Sequence, residues 1–196
     1  MPSHPIKKIG LIAGSGEIPI YFARKASQNG SRLISVGFSD EIQSDLSPYS
    51  EECYSFGVGQ PGKILAALKK HGVDELLILG KVDKSVIYKL QWPDLKFIQF
   101  LKNIITHEDK VLLLGVINEL EKEGIRVLSQ KDFLAEVYPL AGVLTKRKPS
   151  QKELEDIEFG LPIARQLADM EIGQTLVVKN KSVIAVEAFE GTVKAI

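Results

Sequence analysis

Cys53 is the only cysteine in 196 residues. A disulfide within the chain needs two thiols and a Cys-built zinc cluster needs more, so both are excluded. A lone Cys next to Tyr54 and near Phe56 reads as an apolar filler. Histidine is nearly as scarce. His4, His71 and His107 lie far apart without ligand spacing; His71 reads as a helix-end residue and the other two as surface residues. An excess of either charge is also missing, since 25 Lys and Arg balance 25 Asp and Glu. That argues against a nucleic-acid binder, which would show a basic face. The short run Lys146-Arg147-Lys148 precedes Pro149 and reads as a solvated linker. No apolar stretch reaches the ~18 residues of a membrane span. Met1 to Pro5 leads straight into a strand-like run with no secretory signal. The expected compartment is the cytoplasm, with lipid met peripherally or as a bound substrate.

What is present is a globular composition, 44% hydrophobic and 26% charged. Short apolar runs alternate with helical patterns. Lys8 to Ala13 predicts a buried strand, and Gly14-Ser15-Gly16-Glu17 a turn. Pro19 then falls in the first turn of a helix, where its missing N–H costs nothing. Asn29-Gly30 stops that helix, and Arg32 to Phe38 predicts a second strand. Ser39 to Ser50 reads as a polar, turn-rich stretch. Tyr54 to Val58 is a third strand, Gly59 to Gly72 frames a helix, and Glu75 to Leu79 is a fourth strand. Leu95 to Ile105 and Asp109 to Glu123 have helical periodicity. Ile125 to Leu128 closes the series as a further strand. Strands separated by helices predict a parallel sheet with crossovers, a Rossmann-like α/β domain over 1–145.

A boundary is expected near Ala141 to Ser150. Ser150-x-x-Glu153 has the form of a capping box. Leu154, Ile157, Leu161, Ala164 and Ala168 follow at helical spacing and predict one long amphipathic helix with Pro162 inside it. Thr175 to Val178 and Val183 to Glu187 predict a hairpin. Residues 146–196 therefore read as a linker helix and the start of an incomplete α+β domain, because a hairpin alone is marginal in water.

Chemistry is sparse. No Ser/His/Asp set, His-Glu-x-x-His, Walker A or EF-hand spacing occurs. Gly14-x-Gly16-x-x-Pro19 follows a strand and opens a helix, where free N–H groups and positive potential suit a phosphate. A plain tight turn is the bland alternative. The third glycine of a dinucleotide fingerprint is replaced by Pro19, which disfavours NAD; Asp40 sits where a ribose-binding acid could, but in a polar turn. Gly80-Lys81-Val82 ends the fourth strand on the same sheet edge, where ligands bind in open α/β folds. Lys81 can meet a phosphate as a point charge or be a solvated loop lysine. Glu187 and Glu190 can ligate Mg²⁺, hydrogen-bond a sugar, or simply be exposed.

Several stretches in order resemble the LpxI family. They are Ile9-Gly10-Leu11-Ile12-Ala13-Gly14-Ser15-Gly16-x-x-Pro19, Gly57-x-Gly59-x-x-Gly62-Lys63-Ile64, Gly80-Lys81-Val82 and Glu121-Lys122-Glu123-Gly124. Asp169-x-x-Ile172-Gly173-Gln174 and Ala185-Val186-Glu187-Ala188-x-Glu190-Gly191-Thr192 complete the set. The resemblance implies a pyrophosphatase that cleaves UDP-2,3-diacylglucosamine to 2,3-diacylglucosamine 1-phosphate (lipid X) and UMP in lipid A biosynthesis, with Mg²⁺. It implies a Rossmann-like domain, a helical connection and a second domain, and association as a homodimer. The residues it points to for the sugar phosphate are Ala13, Gly14, Ser15, Gly80, Lys81, Val82, Gln174, Glu190 and Thr192, with backbone N–H groups and hydroxyls in the main roles. Family members continue past Glu-Gly-Thr into a Lys-Pro-x-Gln-Asp-x-Arg-like stretch whose Asp matters for catalysis. These 196 residues hold no counterpart, and Val193 stands where many relatives carry Asp. The expectation is a chain truncated relative to the family, with its catalytic and metal-binding residues unassigned. The alternative is a non-catalytic nucleotide- or sugar-phosphate-binding Rossmann-like module.

Overall fold

The computed structural model describes residues 8–82 and 109–196. The helix expected over Leu95 to Ile105, and the readings of His4 and His107, lie outside them. The chain divides into two compact units, Met1–Tyr138 and Pro139–Ile196.

In the first unit, β1 (Lys8–Ala13), β2 (Arg32–Gly37), β3 (Glu52–Ser55), β4 (Glu75–Leu79) and β5 (Arg126–Val127) form one sheet in the order β3-β2-β1-β4-β5. Every pairing is parallel. Helices α1 (Glu17–Gln28), α2 (Asp40–Leu46), α3 (Pro61–Lys70), α4 (Asp109–Lys122) and α5 (Gln130–Phe133) punctuate the strands. A strand's side chains alternate between faces, so a sheet covered on both sides builds two cores. Ile9, Leu11, Ala13, Leu33, Leu77 and Leu79 join Phe22, Ala23 and Leu46 on one side. Ile12, Ile34, Val36 and Leu76 join Ile64, Leu65 and Leu68 on the other. This is the Rossmann-like α/β fold that the alternation of elements predicts.

The polar stretch Ser39 to Ser50 is not simply turn. It contains α2 and a 3₁₀ turn, Ser47–Tyr49. The Ser39 hydroxyl caps α2 by accepting the Ile42 N–H, and Leu46 at the next turn is fully buried. Ser-x-x-Ile with an apolar residue four positions on was the local signal, outweighed by the polar composition around it. Asp40 is thus a first-turn helix acid, favourable at that dipole end. Cys53 is half-buried with its Sγ–H towards the Gln43 carbonyl. His71 caps the C-terminus of α3, and its Nε2 lies 2.7 Å from the Tyr54 hydroxyl.

In the second unit, α6 (Gln151–Asp169) packs on a hairpin of β6 (Leu176–Lys179) and β7 (Ser182–Val186), followed by the single turn α7 (Thr192–Ala195). The turn residues Asn180 and Lys181 both have positive φ, as a two-residue hairpin turn requires. Asp156 on α6 accepts both of their N–H groups, at 3.0 and 2.7 Å. The face of α6 against the hairpin is not the one its leucines predict. Gly160 is the buried residue of α6, because a Cβ there would come within 2.8 Å of Val178. Leu154, Ile157 and Leu161 stay 39%, 55% and 46% exposed. A small residue let the strand approach closely, and that outweighed the larger apolar stripe.

The capping box forms as expected. The Ser150 hydroxyl accepts the Glu153 N–H at 3.3 Å, and the Ser150 N–H donates to Glu153 Oε2 at 2.7 Å. The Arg147 guanidinium beside Glu153, then the Ser150 donors, pull that carboxyl from 4.5 to about 2. A lowered carboxylate pKa contributes stability above the unfolded value and loses it as pH falls through the folded one. Ser150→Ala is expected to cost about 1 kcal/mol at neutral pH. The cost should shrink as pH falls from 4.5 towards about 2. Urea unfolding of both chains across that range measures it.

Candidate functional site

The strand order reverses between β1 and β4, and the bends after these two strands meet there. Gly14 N–H donates to the Leu79 carbonyl at 2.8 Å, Ser15 N–H to the Lys81 carbonyl at 2.8 Å, and Lys81 N–H to the Ser15 carbonyl at 2.9 Å. The Ser15 hydroxyl also reaches the Lys81 carbonyl, at 3.0 Å. The bends thus form an isolated antiparallel bridge, Ser15 to Lys81. The carboxyl ends of strands at a reversal of strand order are the usual ligand crevice of open α/β sheets.

Glycine is needed on both sides. A Cβ on Gly14 would lie 2.4 Å from the Lys81 carbonyl oxygen, and one on Gly80 would lie 2.7 Å from that of Gly14. Gly80 also has φ +87°, a conformation other residues adopt only with strain. Ala13 and Gly14 are buried, while Ser15, Gly80, Lys81 and Val82 face solvent. Ala13 offers no side chain: it sits in the core and its carbonyl accepts the Phe38 N–H.

The sequence expects backbone amides of these bends to hold the ligand. The Gly14, Ser15 and Lys81 amides are instead committed to one another. What the bend presents outward is the Lys81 ammonium, the Ser15 hydroxyl and the first turn of α1. No side chain caps α1, and the first N–H groups of a helix have no partner within it. Beside the bend lies a depression of about 150 Å³ lined by Gly14, Ser15, Pro19, Ser39, Glu41 and Asp45, among others. It is smaller than the ~300 Å³ at which small-molecule pockets begin. Its two carboxylates would oppose an anion.

Gln174, Glu190 and Thr192 belong to the second unit. Gln174 and Thr192 are brought together by Glu187. Glu187 Oε2 accepts the Gln174 N–H at 3.2 Å, and Oε1 accepts the Thr192 hydroxyl at 2.8 Å. Glu190 turns onto its own backbone, Oε1 accepting the Ala188 N–H at 3.1 Å. The Thr175 and Thr192 hydroxyls and the Gln174 N–H hold the Glu187 carboxyl below the usual carboxylate range. Glu187 and Glu190 do not converge as a ligand pair. Among the described residues no three His, Cys, Asp or Glu side chains form a metal-holding group. Those residues do not fit a protein-built Mg²⁺ cage, and no step is derived through the ion. No helix among them is long and apolar enough to cross a membrane.

Comparison with known proteins agrees with the motifs along both units. The family model described as the LpxI N-terminal domain matches residues 8–137, and that of the LpxI C-terminal domain matches 140–196. The UDP-2,3-diacylglucosamine pyrophosphatase LpxI of Caulobacter vibrioides is 32% identical over 190 residues, covering 95% of this chain and 67% of that protein. With both family domains matched in order over a Rossmann-like sheet whose two glycine bends interlock, the chain belongs to the LpxI family.

Proposed function

We propose that this protein serves hydrolysis of the pyrophosphate bond of UDP-2,3-diacylglucosamine, giving 2,3-diacylglucosamine 1-phosphate and UMP. The phosphate of the sugar ester sits at the Ser15–Lys81 bridge. The observation that carries the reading is that bridge, which projects a cation and a hydroxyl beside the uncapped start of α1. Lys81 neutralises phosphate charge, the Ser15 hydroxyl donates to a phosphate oxygen, and the α1 dipole adds positive potential. Glu17 in the first turn of α1 opposes this field, so Lys81 is the main attraction. Mg²⁺ is the metal the resemblance implies. It is expected to arrive on the pyrophosphate, since this ion usually keeps water and substrate phosphates as ligands. The same reading places the reaction at the cytoplasmic side of the membrane, the lipid being reached peripherally, and includes a homodimer.

The test is binding and turnover together. The 196-residue chain is expected to bind 2,3-diacylglucosamine 1-phosphate and to release little UMP from the UDP-sugar with Mg²⁺, because the Asp-bearing stretch implied by the resemblance has no counterpart within it. Lys81→Ala is expected to weaken lipid X binding roughly tenfold by calorimetry, the cost of losing one charge-assisted contact. Unchanged affinity removes Lys81 from the site, and brisk UMP release refutes the importance given to the missing stretch. A second reading, binding of a sugar phosphate without turnover, rests on the same bridge. It predicts that no UMP is released even by the product of the complete coding frame.

A further inference from the structure

Glu187 follows β7, and three separated pieces of chain meet at it. Besides holding Gln174 and Thr192, its own N–H donates to the Thr175 carbonyl at 2.9 Å, and the Thr175 hydroxyl approaches Thr192 Oγ1 at 3.4 Å. Glu187 is half-buried, while Gln174 and Thr192 are exposed. The carboxylate therefore lies behind the two residues that would face a ligand. Crowding by hydroxyl and amide donors keeps it ionised at neutral pH.

A hydroxyl carries one hydrogen. Thr192 commits its hydrogen to Glu187, so towards a ligand it offers only lone pairs. A phosphate oxygen brings lone pairs of its own and would also feel the Glu187 charge, with Glu190 nearby adding a second. A ligand O–H or N–H suits the position; an anion does not.

We infer that Glu187 is a positioning residue that fixes Gln174 and Thr192 and makes Thr192 an acceptor, so that this cluster reads hydroxyl or amide N–H donors of the sugar rather than its phosphate. The inference rests on the proposed reading that the chain binds an acylated sugar phosphate. It assigns different parts of the ligand to the two sets of residues: charge to the Ser15–Lys81 bridge, donors to the Glu187 cluster.

Two measurements test it. In the free 196-residue chain, the Gln174 backbone amide is followed by NMR from neutral to strongly acidic pH. Its shift is expected to titrate with Glu187, below the ordinary carboxylate range, and to lose that response in Glu187→Gln. An unresponsive Gln174 amide overturns the inference whatever the chain binds. The second measurement compares the affinity of 2,3-diacylglucosamine 1-phosphate with that of dodecyl phosphate, which has no sugar. Glu187→Gln is expected to weaken the sugar ligand roughly tenfold and to change the alkyl phosphate by less than about twofold. Thr192→Val, which deletes the acceptor and leaves the carboxylate, should do the same should Glu187→Gln fold poorly. Equal weakening of both ligands, or of neither, overturns the inference while the functional reading stands. A wild-type chain that binds neither ligand overturns the functional reading and the positioning role with it, and the amide titration still reports whether the Glu187–Gln174 tie exists.

Discussion

Gly14→Ala is expected to destabilise the first unit by about 3 kcal/mol and to abolish measurable lipid X binding. The new methyl carbon would stand 2.4 Å from the Lys81 carbonyl oxygen, 2.7 Å from its carbon and 3.0 Å from its nitrogen. All three are backbone atoms, so no side chain can swing aside. Relief requires the two bends to part, which breaks the Ser15–Lys81 bridge and the Gly14–Leu79 hydrogen bond. In a unit of this size a loss of about 3 kcal/mol lowers the melting temperature by roughly 10 °C. Gly16→Ala is the informative control. It has φ +109° but nothing within 4 Å of the added carbon, so it isolates backbone strain, about 1 kcal/mol, from collision. Thermal unfolding of the two variants separates these costs. If Gly14→Ala melts with the wild type, the bends do not touch as described.

Gly173→Ala is expected to be at least as damaging, confined to the second unit. Its Cβ would stand 1.9 Å from the Glu187 carbonyl oxygen and 2.7 Å from its carbon. Again the obstacle is backbone. The segment before β6 and the one after β7 must separate, losing the Glu187–Thr175 backbone hydrogen bond and the Gln174–Glu187 contact. A hairpin carried on one helix has little reserve, so a penalty of about 3 kcal/mol or more should open it locally. Hydrogen exchange reads this directly. Amides of Leu176–Lys179 and Ser182–Val186 should lose protection while those of β1 and β4 keep theirs. Uniform protection in both units would contradict the close approach at Gly173.

These two glycines show how the site is built. Neither is at a position where a ligand must squeeze in. Each lets one stretch of backbone lie against another, and the polar side chains are held at fixed places as a result. The site residues in the first unit belong to adjacent strand ends, so their geometry follows from sheet order. Those in the second unit depend on a single carboxylate.

Much of the fold could be read from local pattern. Apolar runs such as Leu76-Leu77-Ile78-Leu79, separated by helical stretches, specify a buried parallel sheet, because only a strand covered on both faces is apolar at every position. Gly-x-Gly before Pro19, and Ser150 three residues ahead of Glu153, mark helix starts through the chemistry of unpaired N–H groups. These are short-range effects carried by neighbouring residues. Composition hid α2, whose single buried leucine, Leu46, gains its weight only from a distant core.

Other features were settled by long-range approach, which local spacing does not encode. The amides of Gly14, Ser15 and Lys81 are each other's partners across 66 positions of chain, as the Ser15–Lys81 contact shows, and so are not the ligand donors that the loop alone suggests. The buried face of α6 was decided by Gly160 against Val178, a steric fit that outweighs the larger leucines. Glu187 acquired its role because folding carried Gln174 and Thr192 to its two oxygens. The sequence by itself determined which segments become strands and helices, since those depend on residues a few positions apart. The tertiary structure alone decided which polar groups remain available to a ligand, since a hydrogen bond removes a donor wherever in the chain its partner lies.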